Sequence, residues 1–343
     1  MKISAQDADS LAPSASRAWP HPIVRWLELS GVLVGIAAVV LMPFVLPNSA
    51  SLFKATTIAM WMAMGIAWNW VAGFAGRMDL AFGAYFAIGA YTTAYLMAAQ
   101  SWDVVAAVAA GSILAALLSV IVGASFLRLR GMSYAIATLC VYLAVQEIPV
   151  LLPLVGAGAG LSIPTLVGQS ALWYAFGAFA LLGSVATFFI RRSQFGLSLL
   201  AAREDELSAD ARGVNIAASQ VAIYVAMGAV MGLVGGTWSL LNGFVSPPTV
   251  FTSSVLLFVL VLVLVGGVGT VLGPVVGAIV FIEAGDFLWN RFLDYHDFIL
   301  SICLMALAYF APHGLSKRTF EGLAARLRPG RVPDDAGTRG NES

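Results

Sequence analysis

Ten stretches of this chain are apolar over lengths close to a bilayer's thickness, and that feature decides its class before any motif is considered. A membrane helix needs about 20 mostly apolar residues. The stretches run roughly over 30–47, 57–74, 80–99, 103–127, 132–154, 171–190, 220–242, 253–272, 274–290 and 298–312. The composition points the same way, with 60% hydrophobic and 10% charged residues and a mean hydropathy of +0.89. Soluble domains carry about 25% charged residues, so too few charges remain here to clothe a water-facing enzyme. The expected fold is an all-α polytopic membrane protein, a bundle of about ten transmembrane helices. Gly83 and Gly89 interrupt the third stretch, which reads as a short or re-entrant piece. The eighth and ninth share a Gly266–Pro274 hinge.

Lys and Arg concentrate in cytoplasmic loops. With a cytoplasmic N-terminus and alternating spans, 16 of the 18 basic residues fall inside, and only Lys54 and Arg291 fall outside. Outer loops are nearly uncharged or acidic, with Asp103, Asp286, Asp294 and Asp297. Residues 1–29 form a cytoplasmic tail whose polar first 22 residues lack a signal-peptide core. Residues 30–316 form the membrane domain, and 317–343, rich in Arg, Pro, Gly and Asp, read as a disordered cytoplasmic tail.

Several chemistries are missing. The three lysines Lys2, Lys54 and Lys317 never follow a glycine, so no phosphate-binding P-loop exists. No G-x-S-x-G or H-E-x-x-H occurs. Cys140 and Cys303 lie in apolar runs, and His21, His296 and His313 have no ligand spacing, so no metal or cofactor is expected on this chain. A net charge of zero gives no basic excess for nucleic acid. A polytopic chain without a catalytic constellation is expected to move a solute, with membrane lipid as its surroundings.

Small residues let helices approach closely in lipid. Gly228, Gly232 and Gly236 lie four apart, and Gly269, Gly273 and Gly277 repeat the spacing around Pro274. Both sets read as close packing or as hinges. Glu147 is the one acidic residue well inside a confident span. Acids at depth mark function by default, and this one reads as a pathway contact, a structural hydrogen bond in a Pro-kinked helix, or an ion-coupling group.

The longest internal polar loop, 191–219, carries a helical stretch over 197–212, with Gly213 as its stop. An amphipathic helix held under a membrane suits docking into a groove on another protein. The alternative is a solvated loop whose charges only fix topology.

This loop resembles the coupling loop of permeases of the branched-chain amino-acid ABC-transporter family, with the pattern S-x-F-G-R-x-L-x-A-I-R-E-N-E-x-A-A-x-A-x-G-I-N. Ser193, Phe195, Gly196, Leu199, Ala202, Arg203, Glu204, Glu206, Ala209, Ala211, Gly213 and Asn215 match it; Leu197 and Asp205 depart from it. Further stretches agree in order: Gly73–Gly76, Phe86–Thr92, Leu127–Leu139, Gly160–Pro164, Gly266–Ala278 and Phe310–Leu315. Met78-Asp79-Leu80-Ala81-Phe82 departs from the family's L-S-L-G-H/Q.

The resemblance implies an inner-membrane permease subunit with both termini cytoplasmic. Its implied partners are a homologous permease, two ATP-binding subunits that carry ATP and Mg, and a periplasmic solute-binding protein. Phe195, Gly196, Arg203, Glu204, Asp205, Glu206 and Gly213 are then expected to couple to the ATPase, and Tyr85, Tyr91, Tyr134, Thr138 and Glu147 to line the pathway. Cargo is expected to be branched-chain amino acids or a related small solute: another amino acid, urea, an amide, or a small organic or aromatic acid. A stand-alone secondary transporter or channel, or a membrane scaffold, is the alternative.

Overall fold

A computed structural model describes residues 35, 39–43, 48–126, 128, 129, 131–164, 167–211 and 215–291. Helices dominate. They are α1 (Ser49–Asn69), which runs directly into a π-helix, π1 (Trp70–Ala75), then α2 (Phe82–Gln100), α3 (Val104–Ser125) and α4 (Gly131–Leu151). After a short 3-10 turn come α5 (Gln169–Arg192), α6 (Gln194–Glu204), α7 (Glu206–Ala211), α8 (Ile216–Asn242), α9 (Pro247–Val250), α10 (Ser253–Gly266) and α11 (Gly273–Arg291). Among the described residues, six helical stretches are long and apolar enough to cross a membrane: 49–75, 104–125, 131–151, 169–192, 216–242 and 247–266. The expected last span, 298–312, Gly213, both tails and most of the first span lie outside the described residues.

Helix starts follow their capping residues. The Asn48 side chain accepts from Ala50 N–H, Asp103 from Val105 N–H and Asn215 from Ala218 N–H. Each supplies one acceptor to the unpaired donors of a first turn. Gly243, at φ 66°, ends α8 in the left-handed conformation that a residue without Cβ adopts freely.

The core forms where α8 packs on α3 and α2 and those two pack on each other, with α1 against α5 alongside. Backbone meets backbone at the first junction. A Cβ on Gly111 of α3 would stand 2.8 Å from the Gly89 carbonyl of α2, and one on Gly232 of α8 would stand 2.8 Å from Ser112 Cα. Gly228 faces Ser119, and Gly236 faces Thr93 and Val108. The 228–232–236 face therefore lies against α3 and α2.

Two expectations need correction. The third stretch is neither short nor broken: α2 is continuous over 19 residues. Its glycines remove bulk where neighbours press in, Gly83 against the Tyr142 ring and Gly89 against α8, while the helical hydrogen bonds continue. The loop helix expected over 197–212 is two helices, α6 and α7. Asp205, at φ −154° and ψ 106°, takes the extended backbone from which α7 starts. The Gly266–Pro274 region connects α10 to α11 through residues 267–272. A two-residue antiparallel pairing, β1 (Leu161–Ser162) with β2 (Phe244–Val245), ties the α4–α5 connection to the α8–α9 connection.

Candidate functional site

The elbow after α5 is built by a tight reversal. Ser193 Oγ accepts from Gly196 N–H at 3.1 Å and so caps α6. A Cβ on Gly196 would collide with the Ile190 carbonyl, so only glycine lets α6 fold back on the last turn of α5. Gly196, Leu199 and Ala202, three residues apart, are buried against the membrane domain. Leu197, Arg203, Glu204 and Asp205 lie on the exposed side, and Phe195 is half-buried.

Two arginines fasten this elbow. Arg203 Nη1 donates to the Gly73 carbonyl of π1 at 2.6 Å. Its stem crosses Gly76, whose φ of 69° and close approach to the Arg203 side chain both require glycine. Arg77, 9% exposed, pairs with Glu206 Oε1 at 3.0 Å. It also donates to the carbonyls of Leu129 at 3.1 Å and Phe126 at 3.4 Å, and it lies 5.3 Å over the Tyr134 ring. Arg77, Arg203 and Glu206 line one cavity of about 270 Å³. Arg203 and Glu206 are among the residues expected to couple to the ATPase; Arg77, not among them, is brought to both by the fold. Its signal was an arginine directly after a Gly73-x-x-Gly76 pattern.

A second cluster lies beneath it, in the connector 76–81. Asp79 is fully buried. Its Oδ1 accepts from Ala81 N–H at 2.7 Å and its Oδ2 from the Tyr85 hydroxyl at 3.4 Å. Trp68 Nε1 holds the Asp79 carbonyl at 2.8 Å, and Thr138 Oγ1 accepts from Leu80 N–H at 3.1 Å. Burial away from water pushes the Asp79 carboxyl up to about 7, and the two donated hydrogen bonds hold it down only in part.

Three nominated pathway residues, Tyr85, Tyr134 and Thr138, therefore gather around this connector, with the Tyr134 and Tyr224 rings 6.1 Å apart. Tyr91 does not join them. It stacks on Phe251 at 6.4 Å and lines a separate apolar cavity of about 280 Å³ with Ile88 and Pro149. Glu147 is exposed on α4. Among the described residues no group of three His, Cys, Asp or Glu is placed to hold a metal ion.

At the far end of α1, Lys54 Nζ pairs with Glu283 and Asp286 of α11, each at 2.9 Å. Twenty-odd residues of helix, roughly 30 Å, separate this pair from Arg77. The arginine-fastened elbow and the Lys54 ion pairs thus occupy opposite ends of the bundle.

Residues 50–308 match the family described as branched-chain amino acid transport system, permease component. The high-affinity branched-chain amino acid transport system permease protein LivM of Escherichia coli K12 is 28% identical over 301 residues, covering 77% of this chain and 69% of LivM. Its Salmonella typhimurium counterpart is 27% identical over 313 residues, covering 81% and 72%. No solved structure matches. The chain belongs to the family of branched-chain amino acid transport permease components.

Proposed function

We propose that this chain is one permease subunit of an ATP-driven importer in a bacterial inner membrane, moving a branched-chain amino acid or a related small solute. The observation that carries the reading is the capped, two-arginine-fastened elbow of α6 and α7. One face is buried in the membrane domain and the other presents Leu197, Glu204 and Asp205. A lever needs both properties: a rigid root and a surface for something to grip. Two ATP-binding subunits grip that surface, a second homologous permease completes the route, and a periplasmic binding protein delivers the solute. ATP and Mg belong to the ATPase subunits.

The test is co-purification of the complex from cells expressing all its subunits. Reversing the exposed charges (Glu204→Lys with Asp205→Lys) is expected to release the ATPases while the permease stays folded. Normal association of this variant defeats the lever reading. Leucine uptake that stops with an uncoupler but survives ATP depletion defeats the importer reading itself and favours a secondary transporter.

A further inference from the structure

Asn69 is a fully buried amide at the point where α1 changes into π1. Its side chain reaches across to the connector between α10 and α11. Asn69 Oδ1 accepts from Gly269 N–H at 2.7 Å, and Asn69 Nδ2 donates to the Thr270 carbonyl at 3.0 Å. Both hydrogen-bonding sides of the amide are thus spent on one short segment. That segment is itself braced: Thr270 Oγ1 donates to the Gly267 carbonyl at 2.8 Å and accepts from Gly273 N–H, the first residue of α11, at 3.0 Å.

The contact between π1 and the connector is as close as backbones allow. A Cβ on Gly73 would stand 2.7 Å from Gly269 Cα and Gly269 N, and Gly269 takes a φ of 77°. Gly73 is also the residue whose carbonyl holds Arg203. One short π-helix is therefore bonded on one side to the elbow and packed through Gly73 on the other against the α10–α11 connector, which Asn69 at its start holds by two hydrogen bonds. Short π-helical insertions often sit at functional positions, because the wider turn redirects carbonyls that an α-helix would consume.

We propose that Asn69 is a coupling residue. It transmits movement of the elbow, through Arg203 and π1, to the α10–α11 connector, and so makes the relative position of α10 and α11 depend on the ATPase. The inference rests on the importer reading above and adds the internal route to it. An element that only packs against its neighbour slips when pushed. An element held by a two-point amide and a backbone contact without side chains moves with it.

The test uses the assembled, reconstituted complex with Cys140 and Cys303 replaced by serine and a reporter, Val268→Cys, in the connector. The maleimide labelling rate at this cysteine is expected to change at least about threefold when ATP and vanadate are added. Asn69→Ala is expected to abolish that change while ATPase subunits stay bound and still hydrolyse ATP. A merely structural Asn69 shifts the basal labelling rate and leaves the response to ATP intact. If Asn69→Ala does not assemble, Asn69→Asp, which keeps the acceptor for Gly269 and loses the donor to Thr270, is read in the same way. An ATP response that persists in the variant, or that is absent from the parent complex, overturns the route. Failure of any ATPase to bind the parent defeats the importer reading instead.

Discussion

Replacing Arg77 by Met tests whether the elbow is fastened by the ion pair described above. The substitution keeps most of the stem's volume and removes the guanidinium. It takes a donor from the Leu129 carbonyl, leaves the Phe126 carbonyl with the Leu129 N–H alone, and removes the Arg77 guanidinium from Glu206, which is 24% exposed. Breaking a fully buried pair costs about 3–5 kcal/mol. Partial exposure of Glu206 lets water recover part of that, so about 2–3 kcal/mol is expected. For a chain of this size that corresponds to a fall in Tm of roughly 3–4 °C. Glu206→Gln keeps shape and one acceptor and is expected to cost about 1 kcal/mol. The double variant then costs less than the sum, with a coupling energy of about 1–2 kcal/mol. The assay is unfolding from mixed micelles by dodecyl sulfate, followed by tryptophan fluorescence. Trp68 and Trp70 sit beside the junction, bonded to the Asp79 carbonyl and to Thr187. Strict additivity of the two substitutions would falsify the pairing as a source of stability.

Three other outcomes are expected. Gly232→Ala places a methyl group 2.7 Å from Ala115 Cβ and 2.8 Å from Ser112 Cα, neither of which has a rotamer to turn aside, and is expected to destabilise by about 1–3 kcal/mol in the same micelle titration. The Asp79 carboxyl binds its proton more tightly folded than unfolded. Its contribution is therefore fully present below the ordinary carboxylate value and is lost as pH rises through about 7. Asp79→Asn is expected to flatten that part of the stability–pH profile between pH 4 and 8, and an unchanged slope refutes the assignment. Lys54→Ala removes pairs whose side chains are 37–54% exposed, so a loss under about 1 kcal/mol, shrinking further in high salt, is expected; a larger loss contradicts the exposed geometry.

How far the sequence could be read depended on the kind of feature. Spans such as α3, α5 and α8 were legible because continuous apolarity is a local property of the chain. The continuity of α2 was not, since a glycine inside a helix and a glycine that breaks one look alike until the neighbour is seen. The polar stretch between α5 and α8 was legible as helical, but its division at Asp205 depends on one residue's backbone angles. The pathway nominees separate for a geometric reason. At about 100° per residue, Thr138 falls on the same face of α4 as Tyr134, whereas Glu147 lies half a turn away from it. Tyr91 is similarly turned from Tyr85 on α2. Asn69 and Arg77 escaped notice because their partners, Gly269 and Glu206, lie 200 and 129 positions along the chain. A polar residue within a Trp-Asn-Trp run was the only local hint of the first.

The contact among Gly89, Gly111 and Gly232 bears on how such a bundle can move. Packed helices slide past one another by letting side chains hop between rotamers. Where main chain rests on main chain there is no rotamer to hop, and any sliding must open a void. The trio of α2, α3 and α8 is therefore confined to travel as one solid body. Whatever conformational freedom a transport cycle demands has to be found at its margins, in the short joints that lead into and out of it.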